Sequence, residues 1–270
     1  MSAVEPAASG AKRFVMRDVE RAVLELDPIS LEQLDEQASL RRRVDSKYVV
    51  RDEVAGAAMR SLAGGYRGLE IDGRRCFTYE SVYFDTPDLR CFRDHVDGAR
   101  PRFKVRSRYY RETDACFFEV KVKRSGDETV KRQRPYDHAD HGTITPDARA
   151  FLEETLAELA GEEPPGDLAP TLITIYERLT LAAREGGERA TLDLSVQLRT
   201  MDGRDIELRD GEVLVETKTG ERAGRLDAEL RAAGCEPTSI SKYRLGVGLL
   251  LAEDPDSASA EPLRRCFTGA

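Results

Sequence analysis

Apolar and polar residues alternate with a period of two through most of this chain, the spacing that sends successive side chains to opposite faces of a strand. Such runs lie at 42–50, 77–85, 102–111, 116–124, 129–134, 171–185, 189–198, 205–209 and 213–219. Helical spacing is rarer. Thr145 followed by Pro146 opens a helix toward Leu159, and Ser30 with Gln33 forms a capping box for a short helix toward Ala38. Further helices are predicted over 52–62, 223–233 and 241–251, and Asp202-Gly203 marks a hairpin turn between 199 and 206. Many strands and few helices in mixed order predict an α+β fold built on a large antiparallel sheet.

Each run can be split into two faces. In 189–198, Ala190, Leu192, Leu194, Val196 and Leu198 oppose Arg189, Thr191, Asp193, Ser195 and Gln197, which reads as a two-sided strand. In 102–108, Arg102, Lys104, Arg106 and Arg108 share one face, and Phe103 and Val105 take the other. Run 116–124 sets Glu119, Lys121 and Lys123 against Phe118, Val120 and Val122. Run 213–219 sets Glu212, Glu216 and Lys218 against Val213 and Val215, and 43–49 aligns Arg43, Asp45 and Lys47. A sheet face turned to bulk water carries mixed polar residues, whereas these are mostly Arg, Lys, Glu and Asp. Like charges side by side repel unless water, counter-charges or an anionic ligand offset them. A closed or nearly closed antiparallel barrel, charged and hydrated inside with helices packed outside, accommodates both faces.

The 270 residues are 40% hydrophobic and 34% charged, enough to bury a core. No apolar stretch approaches the roughly 20 residues of a membrane span. Residues 1–12 lack the basic-then-apolar order of a signal peptide, so a soluble, cytoplasmic protein is expected. Segments 1–12 and 253–270, rich in Ala, Ser and Pro, are expected to be mobile tails around one domain over 13–252. Cys76, Cys91, Cys116, Cys235 and Cys266 are an odd set without close pairing, which excludes a disulfide scaffold or zinc ribbon. His138 and His141 have no third ligand nearby, and no Walker A loop, dinucleotide fingerprint or Gly-x-Ser-x-Gly elbow occurs.

Net charge is -8, which argues against nucleic-acid binding, yet residues 100–134 hold twelve Lys or Arg against five Asp or Glu. A solvated basic face accounts for that excess by itself. Cations gathered in one region of an acidic chain also suit a compact polyanion.

Several short motifs occur in one order. They are Asp45-Ser46-Lys47-Tyr48, Val82-Tyr83-Phe84-Asp85-Thr86, Val105-Arg106-Ser107-Arg108-Tyr109-Tyr110 and Phe118-Glu119-Val120-Lys121, then Tyr176-Glu177-Arg178, Thr191-Leu192-Asp193, Val215-Glu216-Thr217-Lys218-Thr219 and Ser241-Lys242-Tyr243. The series resembles the VTC domain, the polyphosphate polymerase domain of the vacuolar transporter chaperone complex, in its free-standing bacterial form. The family belongs to the triphosphate tunnel metalloenzymes, so the resemblance implies an antiparallel β-tunnel lined by Arg, Lys and Glu.

The resemblance further implies that ATP, or another nucleoside triphosphate, is held by its phosphates with Mn²⁺ or Mg²⁺. Its terminal phosphoryl group would pass to a growing polyphosphate chain. Carried over by motif, the binding and catalytic cations are Lys47, Arg106, Arg108, Lys121, Lys131, Arg178, Arg189 and Lys242. Lys104, Lys123, Arg134 and Lys218 join them as phosphate contacts, and Glu216, then Glu119, are the metal ligands. Two departures bear on this set. Ser239 stands where the family often has a lysine, and in 129–134 the alternation leaves open which of Lys131, Arg132 and Arg134 points inward.

Phosphoryl transfer asks a protein mainly to position the chain and neutralise charge, and a phosphate acceptor, already ionised, needs no protein base. Related CYTH hydrolases and cyclases usually open with Glu-x-Glu-x-Lys, whereas this chain has Arg43-Val44-Asp45-Ser46-Lys47, which favours a transferase. A tripolyphosphatase or nucleoside triphosphatase and a non-catalytic polyphosphate binder are the rival readings. With no membrane helix predicted, export of a product would need a separate membrane protein.

Overall fold

The computed structural model describes residues 16–36, 44–124, 128–220, 223–239, 241–252 and 261–269. Arg43, Ala38 and residues 1–12 and 253–260 lie outside them. The strands are β1 (Asp27–Ile29), β2 (Val44–Arg51), β3 (Tyr66–Leu69), β4 (Cys76–Asp85), β5 (Arg102–Tyr110), β6 (Ala115–Lys123), β7 (Thr129–Pro135), β8 (Ala169–Ala183), β9 (Arg189–Thr200), β10 (Asp205–Leu208), β11 (Glu212–Thr219) and β12 (Phe267–Thr268). The helices are α1 (Asp18–Leu24), α2 (Leu31–Glu36), α3 (Asp52–Ser61), α4 (Arg90–Val96), α5 (Pro146–Ala160), α6 (Arg225–Ala232), α7 (Lys242–Leu250) and α8 (Glu261–Arg264).

The tunnel wall is antiparallel and runs β2-β11-β9-β8-β4-β5-β6-β7. Its end strands β2 and β7 do not pair among the described residues, so the wall is not strictly closed. The apolar halves of the alternating strands face outward. Phe103, Val105, Phe118, Val120 and Val122 pack under Leu152 and Leu156 of α5. Each such buried side chain contributes roughly 1.5–3 kcal/mol. Thr145 starts α5 by accepting from the Ala148 amide at 3.2 Å, and Gly161, at φ 69°, ends it.

Tyr48, Leu192, Val213 and Val215 pack likewise against α1, α3 and α6. Asp227 of α6, fully buried, accepts from the Tyr48 hydroxyl at 2.6 Å and Thr217 at 2.8 Å. That contact fixes the backs of β2 and β11, whose fronts carry Lys47 and Glu216. One stretch of the inner face is apolar: Tyr83, Leu172 and Tyr176 meet Tyr243, Leu245 and Val247 of α7, with Phe92 of α4.

Several features differ from the sequence expectation, among them α1, α8, β1 and β3, which lie outside the predicted elements. Helix α4 is new, because its cap is remote: Asp85 accepts from the amides of Cys91 and Phe92 at 2.8 and 3.0 Å. Strand β9 is not two-sided throughout. Ser195, at φ 49°, sits at an irregularity against β8, after which Val196 and Leu198 join the inner cluster while Leu192 and Leu194 stay outside. The expectation of a mobile tail is corrected for 261–269, where β12 pairs with β10 and Leu263 and Phe267 are buried.

Candidate functional site

Residues paired across antiparallel strands share a face, so strand register assembles the charged surface. On one side Lys47 faces Glu216, Glu216 faces Thr191, Lys218 lies between Asp45 and Arg189, and Arg178 faces Asp193. On the other side three rows cross β5, β6 and β7: Arg106-Glu119-Gln133, Lys104-Lys121-Lys131 and Arg102-Lys123-Thr129. Arg108 lies between Ser81 of β4 and Phe117 of β6.

Carboxylates fix several of these cations. Arg178 donates through Nε and Nη2 to the two oxygens of Asp193 at 2.6 and 2.8 Å, and Lys242, in the first turn of α7, donates to the same carboxylate. Burial works to raise the Asp193 pKa, but Arg178 and Lys242 outweigh it and hold the carboxyl at about 2. Glu119, buried, pairs with Arg106 at 2.5 Å and Lys131 at 3.2 Å. Glu216 pairs with Lys218 at 3.3 Å. Against burial, Lys218 and Lys47 keep Glu216 below the usual carboxylate range.

Other cations make no close ion pair among the described residues, although Glu119 acts on Arg108 from a distance. The buried Arg108 donates through Nε to Ser81 at 3.1 Å, and Lys104 donates to Ser241, the cap of α7, at 2.9 Å. Lys121 reaches the tunnel water yet stands between protein walls beside other cations. That enclosure, then the charge of Lys47, lowers it to about 8. Burial and then Lys121 and Lys47 lower Lys104 well below the usual lysine range. The surplus positive charge is what a bound anion would offset.

The sequence-predicted set is therefore largely gathered on one face, with Lys242 added by α7. Arg189 lies at the rim, where Nη2 donates to the Leu34 carbonyl of α2 at 2.6 Å. Register also settles the ambiguity in β7. Lys131 faces inward opposite Lys121, whereas Arg132 pairs with Glu158 at 2.5 Å and Arg134 donates to the Asp147 carbonyl at 3.0 Å, both on α5. Arg134 is thus removed from the tunnel, because Phe118, its partner in β6, belongs to the outer core. Ser239 lines a cavity of about 280 Å³ with Asp45, Lys47 and Thr238.

Sequence reasoning did not assign Asp193, Thr191, Ser81 or the tyrosines of β4 to the site. Asp193 stood on a polar face already noted; Tyr79, Ser81 and Tyr83 share the cations' face only through the β4–β5 register.

The sequence profile of the VTC domain matches residues 42–251. Among curated proteins the chain has no match. Solved structures with a similar fold include HpAC1 of Hippeastrum, described with a dominant triphosphatase activity, at 14% identity and TM-score 0.45, covering 78% of this chain and 98% of that one. PH1819 of Pyrococcus horikoshii has 17% identity and TM-score 0.42, with 75% and 97% covered. The S. pombe RNA triphosphatase Pct1 has 10% identity and TM-score 0.28, with 72% and 77% covered. Since the profile match runs from β2 through α7, it takes in every strand of the tunnel wall and the helix packed inside it, and the chain belongs to the VTC domain family.

Proposed function

We propose that this chain is a metal-dependent polyphosphate polymerase of the cytoplasm, which transfers the terminal phosphoryl group of ATP or another nucleoside triphosphate to a growing polyphosphate chain in the tunnel. The observation that carries the proposal is buried positive charge without a close ion pair: Arg108 is 7% exposed and has only Ser81 as a hydrogen-bond partner among the described residues. A guanidinium offers paired donors to phosphate oxygens, and lysines act as point charges along the chain. Arg106, Arg108, Lys104 and Lys121 would hold the reacting phosphates. Arg178 and Lys242, aligned by Asp193, would hold the neighbouring one, with Lys47, Lys123, Lys131, Lys218 and Arg189 lining the path. The acceptor oxygen forms the new P–O bond as the bond to the nucleoside diphosphate breaks, and no proton has to move to a protein base.

The donor set fits Mn²⁺ or Mg²⁺. Glu216 is a hard oxygen donor on the tunnel face, and opposite it the buried hydroxyl of Thr191 has no hydrogen-bond partner among the described residues. Glu119 is buried and held by two cations, Arg106 and Lys131, whereas Glu216 is more open and has the one ion-pair partner Lys218 among the described residues, so Glu216 is the ligand we assign. No group of three or more metal-ligating side chains occurs among the described residues, so phosphate oxygens and water would complete the shell. When bound, the ion draws charge from the phosphate oxygens. No helix among the described residues is long and apolar enough to cross a membrane, and in this reading export of product falls to a membrane-protein partner.

A triphosphatase is the second reading, favoured by the same Thr191 hydroxyl, which can hold a water near the phosphates. The test is incubation of purified protein with ATP and Mn²⁺ or Mg²⁺, resolving products on a polyphosphate-staining gel beside a free-phosphate assay. Ladders that vanish in Glu216→Ala establish the polymerase. Phosphate without ladders establishes the hydrolase; neither product, with tripolyphosphate binding that Arg108→Ala weakens, establishes a binding module.

A further inference from the structure

Five tunnel cations rest against tyrosine rings. Measured to ring centroids, Lys104 Nζ lies 5.8 Å from Tyr243, Arg106 Cζ 5.5 Å from Tyr83 and Arg108 Cζ 5.5 Å from Tyr79. Arg178 Cζ lies 4.9 Å from Tyr79 and 5.0 Å from Tyr176, and Lys242 Nζ lies 4.4 Å from Tyr176. The rings support one another: Tyr79 stacks on Tyr176 at 5.3 Å, Tyr110 meets Tyr79 edge-on at 4.7 Å, and Tyr83 lies 5.0 Å from Tyr243.

A ring face and a carboxylate hold a cation differently. A carboxylate takes up N–H donors and cancels the charge; a ring face attracts through its quadrupole, carries no net charge and leaves the donors at the guanidinium edge for another acceptor. Tyr79 is the one ring shared by two arginines, and its hydroxyl makes no hydrogen bond among the described residues. We infer that Tyr79 is a positioning residue of the phosphate site, whose ring holds Arg108 and Arg178 side by side while leaving the donors of Arg108 free of a carboxylate hydrogen bond. The inference rests on the reading of the tunnel as a polyphosphate site. Burial pushes the Tyr79 phenol up to about 12, so the ring stays neutral in ordinary buffers.

The test is calorimetric titration of the full chain with tripolyphosphate. Tyr79→Phe, which retains the ring, is the unfluorinated reference of the series. Replacing residue 79 with phenylalanines bearing one, two and three ring fluorines preserves shape while draining the ring face, and affinity falls stepwise to about tenfold below that reference with the melting temperature held. The fall shrinks in an Arg108→Gln background, which a merely structural role would not produce. Affinity flat across the fluorinated series overturns the inference while leaving the tunnel reading intact. Absence of tripolyphosphate binding by the wild type overturns both.

Discussion

Tyrosine rings lie against cations on both sides of the tunnel, and the sides differ in how many carboxylates accompany those cations. Around β9, β11 and α7, Arg178 and Lys242 share Asp193, and Lys218 pairs with Glu216. Around β4, β5 and β6, Arg108 and Lys104 lie over tyrosines and donate to serine hydroxyls, and among the described residues Glu119 is the carboxylate in the three rows across that inner face. Carboxylates hold the first set rigidly and offset part of its charge, and Glu216 is the one we assign to a metal ion. Where a ring and a hydroxyl are the partners, as at Arg108 and Lys104, the cation forms no ion pair and the wall keeps a positive field. The first side costs little to leave empty, and the second is poised for an anion.

Substitutions can break or sharpen this contrast. The largest effect is expected for Glu216→Gln, which should lower metal-dependent turnover of ATP at least ~100-fold while metal-free tripolyphosphate binding holds or tightens, since a negative charge leaves the tunnel. Next comes a matched pair. Arg178→Ala removes two charged hydrogen bonds from the buried Asp193 and leaves it Lys242 alone, and urea denaturation should show a loss of about 2 kcal/mol. Arg108→Ala strands no carboxylate; tripolyphosphate affinity should fall about 30-fold, ~2 kcal/mol, with the urea midpoint at or above wild type. Equal stability losses in the two variants would erase the distinction between the walls.

A smaller effect concerns pH. Lys121 titrates at about 8 in the ligand-free fold, below its ordinary 10.5. Anion binding favours the charged amine, so above pH 8 binding must take up a proton, and affinity should weaken by up to about tenfold per pH unit. The ligand-free fold shows the opposite sign. Its amine binds protons less readily than the unfolded chain's, so its stability from this group rises between about pH 8 and 10.5. In Lys121→Arg this part of both profiles should flatten. The smallest effect is expected for Arg134→Ala, which should leave tripolyphosphate affinity unchanged and cost under about 1 kcal/mol of stability, through its contacts with α5. A drop in affinity there would return Arg134 to the tunnel.

Much of the wall was legible beforehand, because period-two alternation reports which residues share a face. Phe103 and Val105 went to the outer core, and Lys104, Arg106 and Arg108 to the tunnel. The alternation misled where an irregularity intervened. Leu194 and Val196 look equivalent in sequence, but the left-handed backbone at Ser195 turns the rest of β9 inward, and nothing in a serine announces that conformation. Helix α4 was unreadable for a related reason, since the side chain that caps it, Asp85, belongs to the preceding strand. Short strands such as β3 and β12 are held by their neighbours more than by their own pattern.

The sequence by itself determined the composition of the two sheet faces, the ends of α5 and the ordered motifs that place the chain in its family. These depend on local geometry and residue chemistry. Only the tertiary structure decided which charges meet. Strand register set Glu216 opposite Thr191, directed Lys131 inward and Arg134 outward, and brought Tyr79 under two arginines. The packing of α7 then delivered Lys242 to Asp193 across a sequence separation of 49. Register and helix docking arise from contacts between distant segments, and no periodicity along the chain encodes them.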